Sequence, residues 1–183
     1  WQADPIIDTD AAGIVYAAWL TNPFGTVFAR STDHGVTWTD PVQVAPGLPW
    51  NDHPWMAVGA SGQDVYIGVN HRDNYQVSSH DFGATWSDPI MTNPPGDYYF
   101  AVGAVVADNG DVVFSDAAFN CCGAGTSTGP VQVVIIRSTD GGATWTENTI
   151  DTSAPMPSCT SPYCPAYQYG TEVSVAKNGN GDL

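Results

Sequence analysis

Three stretches decide the fold: Ser31-Thr-Asp-His-Gly-Val-Thr-Trp38, Ser79-His-Asp-Phe-Gly-Ala-Thr-Trp86 and Ser138-Thr-Asp-Gly-Gly-Ala-Thr-Trp145. They share the pattern S-x-D-x-G-x-T-W, five fixed positions in eight, and chance does not produce that three times. The residue types are those of a tight turn between two strands. Asp33, Asp81 and Asp140 can accept hydrogen bonds from nearby backbone N–H groups and from the hydroxyls of Ser31, Ser79, Ser138, Thr37, Thr85 and Thr144. Gly35, Gly83 and Gly142 supply backbone angles that other residues resist. Trp38, Trp86 and Trp145 then open the next strand, each with a large apolar surface to bury. These positions are therefore structural, and the expectation is three equivalent turns on one face, with the tryptophans largely buried.

The aspartates lie 48 and then 59 residues apart, near the roughly 40–50-residue period of propeller blades. A second repeat runs out of phase with the first. Gly13-Ile-Val15, Gln63-Asp-Val65, Gly110-Asp-Val112 and Gly181-Asp-Leu183 each follow a polar turn. In the first three a β-rich run comes next, Val15–Leu20, Val65–Asn70 and Val112–Ala117. The predicted architecture is all-β: a β-propeller of four-stranded antiparallel blades. Residues 1–183 form one partial domain of three blades and the start of a fourth, an incomplete ring. The blades span about 1–46, 47–93 and 94–152, followed by a loop and the start of blade 4 over about 153–183. Blade 2 divides into Trp55–Gly59, Val65–Asn70, Tyr75–Ser79 and Trp86–Met91, while blade 3 carries an insertion at Ala118–Pro130 and a long exit at Asp151–Gly170. Leu183 aligns with the start of a second strand. The rest of the ring is therefore expected from missing sequence or from another chain.

Composition agrees. Glycine (19), proline (14) and seven tryptophans among short β-branched runs favour many turns over helices, and no run approaches the ~18 apolar residues of a membrane helix. Nineteen acidic residues against four basic ones give a net charge of −15, which disfavours nucleic acid and anionic membranes as partners. Such a surface keeps an extracellular protein soluble; divalent-cation binding, calcium foremost, is the sharper alternative, although no EF-hand-like spacing of acids is present. No other cofactor and no other metal is indicated.

The triplet S-x-D-x-G-x-T-W resembles the Asp boxes, or bacterial neuraminidase repeats, of sialidases and their relatives. Asp52-His-Pro-Trp-Met-Ala-Val58 is similar to the inner strand of secreted bacterial propellers of this kind. The resemblance implies a secreted or extracellular protein, cell surface included, with its boxes on the face away from the ligand site. The opposite face would hold Trp50, Asp52, His53, Arg72, Asp73, Asp97, Tyr98, Tyr99, Tyr163, Tyr167 and Tyr169, joined by Glu172. Rings beside carboxylates suit a sugar, because rings stack on apolar sugar faces and acids hold hydroxyls; the same rings can instead plug the channel between blades.

A sialidase of this resemblance needs three converging arginines, a tyrosine nucleophile paired with a glutamate, and an acid/base aspartate. The chain has three arginines in all; Arg30 and Arg137 immediately precede box serines, which leaves Arg72 alone on the ligand side. Glu172 with Tyr167 or Tyr169, and Asp52 or Asp73, offer the remaining types, but the family's Arg-Ile-Pro type motif is absent. The reading ranked first is accordingly a non-catalytic one, an extracellular binding or assembly module for a glycan or protein ligand, with enzyme activity left open. The alternative is a glycoside hydrolase that uses two channel-mouth carboxylates.

Four cysteines fall in two groups, Cys121-Cys122 and Cys159…Cys164, without a CxxC pair, which points to disulfides over zinc. On the propeller reading the two loops emerge together, so cross-links between the groups are favoured. A local Cys159–Cys164 bridge with a vicinal Cys121–Cys122 bridge is the alternative, at the cost of a strained ring.

Overall fold

A computed structural model of the chain describes residues 2–120, 128–155, 173–181 and 183. Among these residues there is no helix. Twelve strands form three four-stranded antiparallel sheets, none closed into a barrel. Blade 1 contains β1 (Gln2–Thr9), β2 (Val15–Thr21), β3 (Gly25–Ser31) and β4 (Val42–Gln43). Blade 2 contains β5 (Asp52–Val58), β6 (Val65–His71), β7 (Asp73–Ser79) and β8 (Ile90–Met91). Blade 3 contains β9 (Tyr98–Val106), β10 (Val112–Asn120), β11 (Thr128–Ser138) and β12 (Thr146–Thr152). In each blade the strands lie side by side in chain order, and the first strands β1, β5 and β9 adjoin one another. They form the inner wall, and the fourth strands form the rim.

Alternation sets the packing. Tyr16, Ala18 and Phe28 of blade 1 meet Met56, Val65, Ile67, Val69 and Val77 of blade 2 in one core. Tyr66 of blade 2 joins Tyr99, Ala101, Val112, Phe114, Ala118, Val134 and Ile136 of blade 3 in the next. Each blade thus has a leading face toward the preceding blade and a trailing face toward the following one, as period-two side-chain alternation requires.

The three boxes build the same turn. In the first, Thr37 donates its N–H to Asp33 Oδ1 (2.8 Å) and its hydroxyl to Oδ2 (2.6 Å), Ser31 Oγ donates to Oδ1 (2.7 Å), and Gly35 N–H donates to Ser31 Oγ (2.8 Å). Asp81 and Asp140 repeat this set with Thr85, Ser79 and Gly83, and with Thr144, Ser138 and Gly142.

Several expectations are corrected. The fourth strands of blades 1 and 2 shrink to two residues each, so Trp86–Met91 becomes Ile90–Met91. Pro41 and Pro89 interrupt the ladder, because proline has no N–H to donate; Asn148 stands at that position in blade 3, and there the strand runs for seven residues. The inner strand of blade 2 begins earlier than Trp55, at Asp52. In blade 3 the hairpin continues to Phe119↔Val131 and beyond, so part of the Ala118–Pro130 insertion is strand. None of the three box tryptophans is fully buried: Trp86 and Trp145 are half-buried, and Trp38 is 42% exposed. Trp86 sets its ring edge against Phe28 (5.2 Å), and Trp145 sets its own against Tyr66 (6.5 Å), each in the preceding blade; Trp38 has no such ring beside it among the described residues. The four cysteines, and with them both disulfide pairings, lie outside the described residues.

Candidate functional site

Two ends of the blades are chemically different. At one end the first-to-second-strand turns meet the boxes: His80 Nδ1 lies 2.7 Å from Asp64 Oδ1, and Phe82 N–H donates to Gln63 O (3.0 Å). The box carboxylates are spent within their own turns, and the Thr and Ser donors hold Asp33 and Asp81 down at about 2, with Asp140 lowered for the same reason. Arg30 and Arg137 are also at this end. Arg30 lies over the Phe82 ring (5.3 Å), and Arg137 bonds Asp111 through Nε (3.1 Å) and Nη2.

The opposite end gathers the second-to-third-strand turns and the starts of the inner strands. Here β1 and β5 each carry a register shift, between Ala3 and Ile6 and between Asp52 and Trp55. Asp4 and His53 occupy these bulges with positive φ, 48° and 49°. A bulge re-aims a side chain, and His53 turns its Nδ1 to 3.0 Å from Ala101 O on β9, joining the inner walls of blades 2 and 3. Asp52 accepts the His53 N–H (2.9 Å), yet burial pushes its carboxyl up, and the charge of Asp4 adds to the rise. Asp4 is the site residue that sequence reading missed; the Asp-Pro of β1 beside the His-Pro of β5 is the signal that marks it.

Beside this pair, the half-buried Trp50 packs on His71 (4.4 Å), and Tyr75 stands behind it (6.1 Å). Arg72 is exposed at the tip of the β6–β7 turn with φ 68°, and its carbonyl accepts the Tyr99 N–H (2.9 Å). Asp73 accepts from Asn93 Nδ2 (3.0 Å), which ties the turn to the loop before β9. Trp50, Asp52, His53, Arg72 and Asp73 therefore share one end, with Asp97 in the adjoining loop just before β9.

The two tyrosines of β9 part company. Tyr98 packs on Phe100 (5.2 Å) and Phe119 (5.8 Å) on the trailing face. Tyr99 is 3% exposed between blades 2 and 3, where its hydroxyl donates to Glu147 Oε1 (3.5 Å) and burial drives its pKa upward. Its ring packs between blades, away from the surface. Tyr163, Tyr167, Tyr169 and Glu172 lie outside the described residues.

The comparisons with known proteins fit this geometry. A family model described as BNR/Asp-box repeat matches residues 136–147, the third box. No curated protein matches the sequence. Among solved structures, a PL25 polysaccharide lyase (ulvan lyase) bound to -[GlcA(1-4)Rha3S]- superposes with TM-score 0.59 at 16% identity, covering 78% of this chain and 42% of the lyase. The Trypanosoma rangeli sialidase in complex with the inhibitor DANA gives 0.60 at 19%, covering 84% of this chain and 31% of the sialidase. The intramolecular trans-sialidase of Ruminococcus gnavus with oseltamivir carboxylate gives 0.61 at 12%, covering 82% and 60%. The fold and its turns define an Asp-box β-propeller. At these identities the likeness is one of fold, and that fold is the sialidase-like propeller, of which this chain spans less than two thirds of each matched structure.

Proposed function

We propose that the chain is a binding or assembly module that works outside the cell and presents the end opposite its boxes to a glycan or protein ligand. One observation carries the reading: Trp50 on His71, the exposed Arg72, and Asp52 with Asp73 share that end, while the box carboxylates at the other end are satisfied within their own turns. A ring beside carboxylates and one guanidinium offers a stacking face and hydroxyl partners to a neutral or mixed sugar. The ulvan lyase and sialidase structures, each with a glycan or an inhibitor bound, support a carbohydrate as the ligand class. Against a sialidase proper stand Arg30 and Arg137, both engaged at the box end. The open leading face of blade 1 belongs to the same proposal: it takes the trailing face of a further blade, as the leading faces of blades 2 and 3 do.

Glycan-array binding with purified protein tests the reading. Bound glycans should be lost with Trp50→Ala and weakened with Arg72→Ala while the thermal midpoint holds. An array and a protein pull-down that are both blank, or binding indifferent to both substitutions, would overturn it. The hydrolase alternative draws support from the raised carboxyl of Asp52 beside Asp4, an acid and a second carboxylate on adjacent inner strands. Turnover of a chromogenic glycoside that vanishes in Asp52→Asn would promote it.

A further inference from the structure

Where blade 3 meets blade 2, the leading face of blade 3 holds a buried aspartate and a half-buried glutamate with no basic partner among the described residues. Asp116, in the middle of β10, is 1% exposed, and neither of its carboxylate oxygens has a hydrogen-bond partner among the described residues. Glu147 of β12 reaches the same face: its Oε1 accepts the Tyr99 hydroxyl, and its Oε2 is buried without a partner. Across the seam, β7 turns two amides toward blade 3. Gln76 is 0% exposed with both amide atoms unpartnered, and Asn74 is 1% exposed with Oδ1 unpartnered. The Gln76 amide lies over Gly68, where an added Cβ would stand 2.9 Å from Gln76 Nε2 and 3.1 Å from the Phe114 ring. Phe114 precedes Asp116 by two residues on the same face of β10, so Gln76 abuts the strand one side chain away from the buried carboxylate.

Five of these six orphaned atoms are oxygens, and neither carboxylate has a Lys, Arg or His partner among the described residues. His53, on the neighbouring inner strand β5, directs its Nδ1 to the Ala101 carbonyl. A buried carboxylate without a counter-charge is costly. We propose that this seam is a cation site for a hard divalent ion of calcium's kind, held by the carboxylates of Asp116 and Glu147 and by the amide oxygen of Gln76 from the opposing blade. Two carboxylates balance the charge of the ion, and calcium takes carboxylate and amide oxygens in flexible sets of roughly 6–8 ligands. No group of three or more His, Cys, Asp or Glu side chains is placed to hold a metal among the described residues. The site therefore rests on two acids completed by neutral oxygens, and the ion pins blade 2 to blade 3.

The test is thermal unfolding of the chelator-treated chain with and without calcium, read beside terbium luminescence sensitised through Trp55, Tyr99 and Trp145 at the seam. Calcium at about a hundredfold excess over Kd should raise Tm by on the order of 5–10 °C. Asp116→Asn should raise the ion-free Tm, because it removes a buried charge, and should abolish both the calcium response and the terbium signal. Gln76→Glu, which adds a ligand, should lower the ion-free Tm and tighten calcium binding severalfold. A calcium response that survives in Asp116→Asn would overturn the site. So would a Tm indifferent to calcium that falls as pH rises from about 4 toward 8, the behaviour of a seam neutralised by protons on Asp116, whose carboxyl burial and Glu147 push up to about 8.

Discussion

Asp81, in a box turn, and Asp116, in the middle of β10, are driven in opposite directions by their surroundings. Asp81 takes donors from Thr85 and Ser79 and is lowered to about 2; Asp116 has none and is raised to about 8. The sign of each pH effect follows. A lowered folded-state pKa contributes stability that is present above the ordinary carboxylate value near 4 and is lost as pH falls through about 2. Asp33 and Asp81 should therefore stabilise the chain fully at neutral pH and release it in acid between about 4 and 2. Carbon-detected NMR titration should place both carboxyls near 2. Asp81→Asn should narrow the acid-unfolding window, and a titration of either aspartate at its ordinary value would contradict the turn geometry. The box aspartates were legible in the sequence because every partner lies within four residues. Asp116 was not legible, because nothing local announces that a neighbouring blade will cover it.

At the scale of elements, the second strands of blades 1 and 2 and the third strand of blade 2 were read nearly to the residue, since apolar alternation alone specifies them, whereas the long hairpin of blade 3 was read as an insertion. The short outer strands were overread, because a box tryptophan followed three residues later by proline looks like a strand but cannot complete the ladder. The tryptophans themselves show that burial belongs to the pair of blades and not to the box. Trp86 lies against Phe28, and Gly83 sits so close that a Cβ would stand 2.1 Å from the same ring at a φ of +81°. Trp86→Ala should cost about 3 kcal/mol, whereas the same change at the exposed Trp38 should cost under about 1 kcal/mol in denaturant titrations. Gly83→Ala should destabilise through both the clash and the strained φ, while Gly35→Ala, which meets only Trp38 at 3.8 Å, should suffer from the φ alone. Equal losses at the two tryptophans would mean that the inter-blade packing does not carry the stability assigned to it. The candidate ligand end was partly legible: its loops were named from topology, but the bulges that re-aim Asp4 and His53 leave no trace in a pattern of alternating residues.

At the scale of the whole molecule, the three blades of the described residues follow one another, and their contacts run from neighbour to neighbour, with β1 against β5 and β5 against β9. The leading faces of blades 2 and 3 are closed by the trailing face before them. That of blade 1 instead presents a trough of about 550 Å³ lined by Pro5, Ile7, Ala17, Trp19, Trp38 and Pro41, with Ile7 61% exposed and the indole N–H of Trp19 unpartnered among the described residues. Val15, Ala17 and Trp19 stand where Val65, Ile67 and Val69 meet Tyr16, Ala18 and Phe28, so the trough has the composition of an inter-blade core. An exposed apolar face of this kind drives association or takes up apolar ligands. A polypeptide of residues 1–183 should accordingly bind an environment-sensitive apolar dye and associate with rising concentration in sedimentation runs. Ile7→Asp should suppress both several-fold without lowering the thermal midpoint, because Ile7 meets mostly solvent. The net charge of −15 opposes association at low salt, so the concentration dependence should steepen as ionic strength rises and the repulsion is screened. A dye response unchanged by Ile7→Asp would place the apolar surface elsewhere and remove the reason for assigning this face to a further blade.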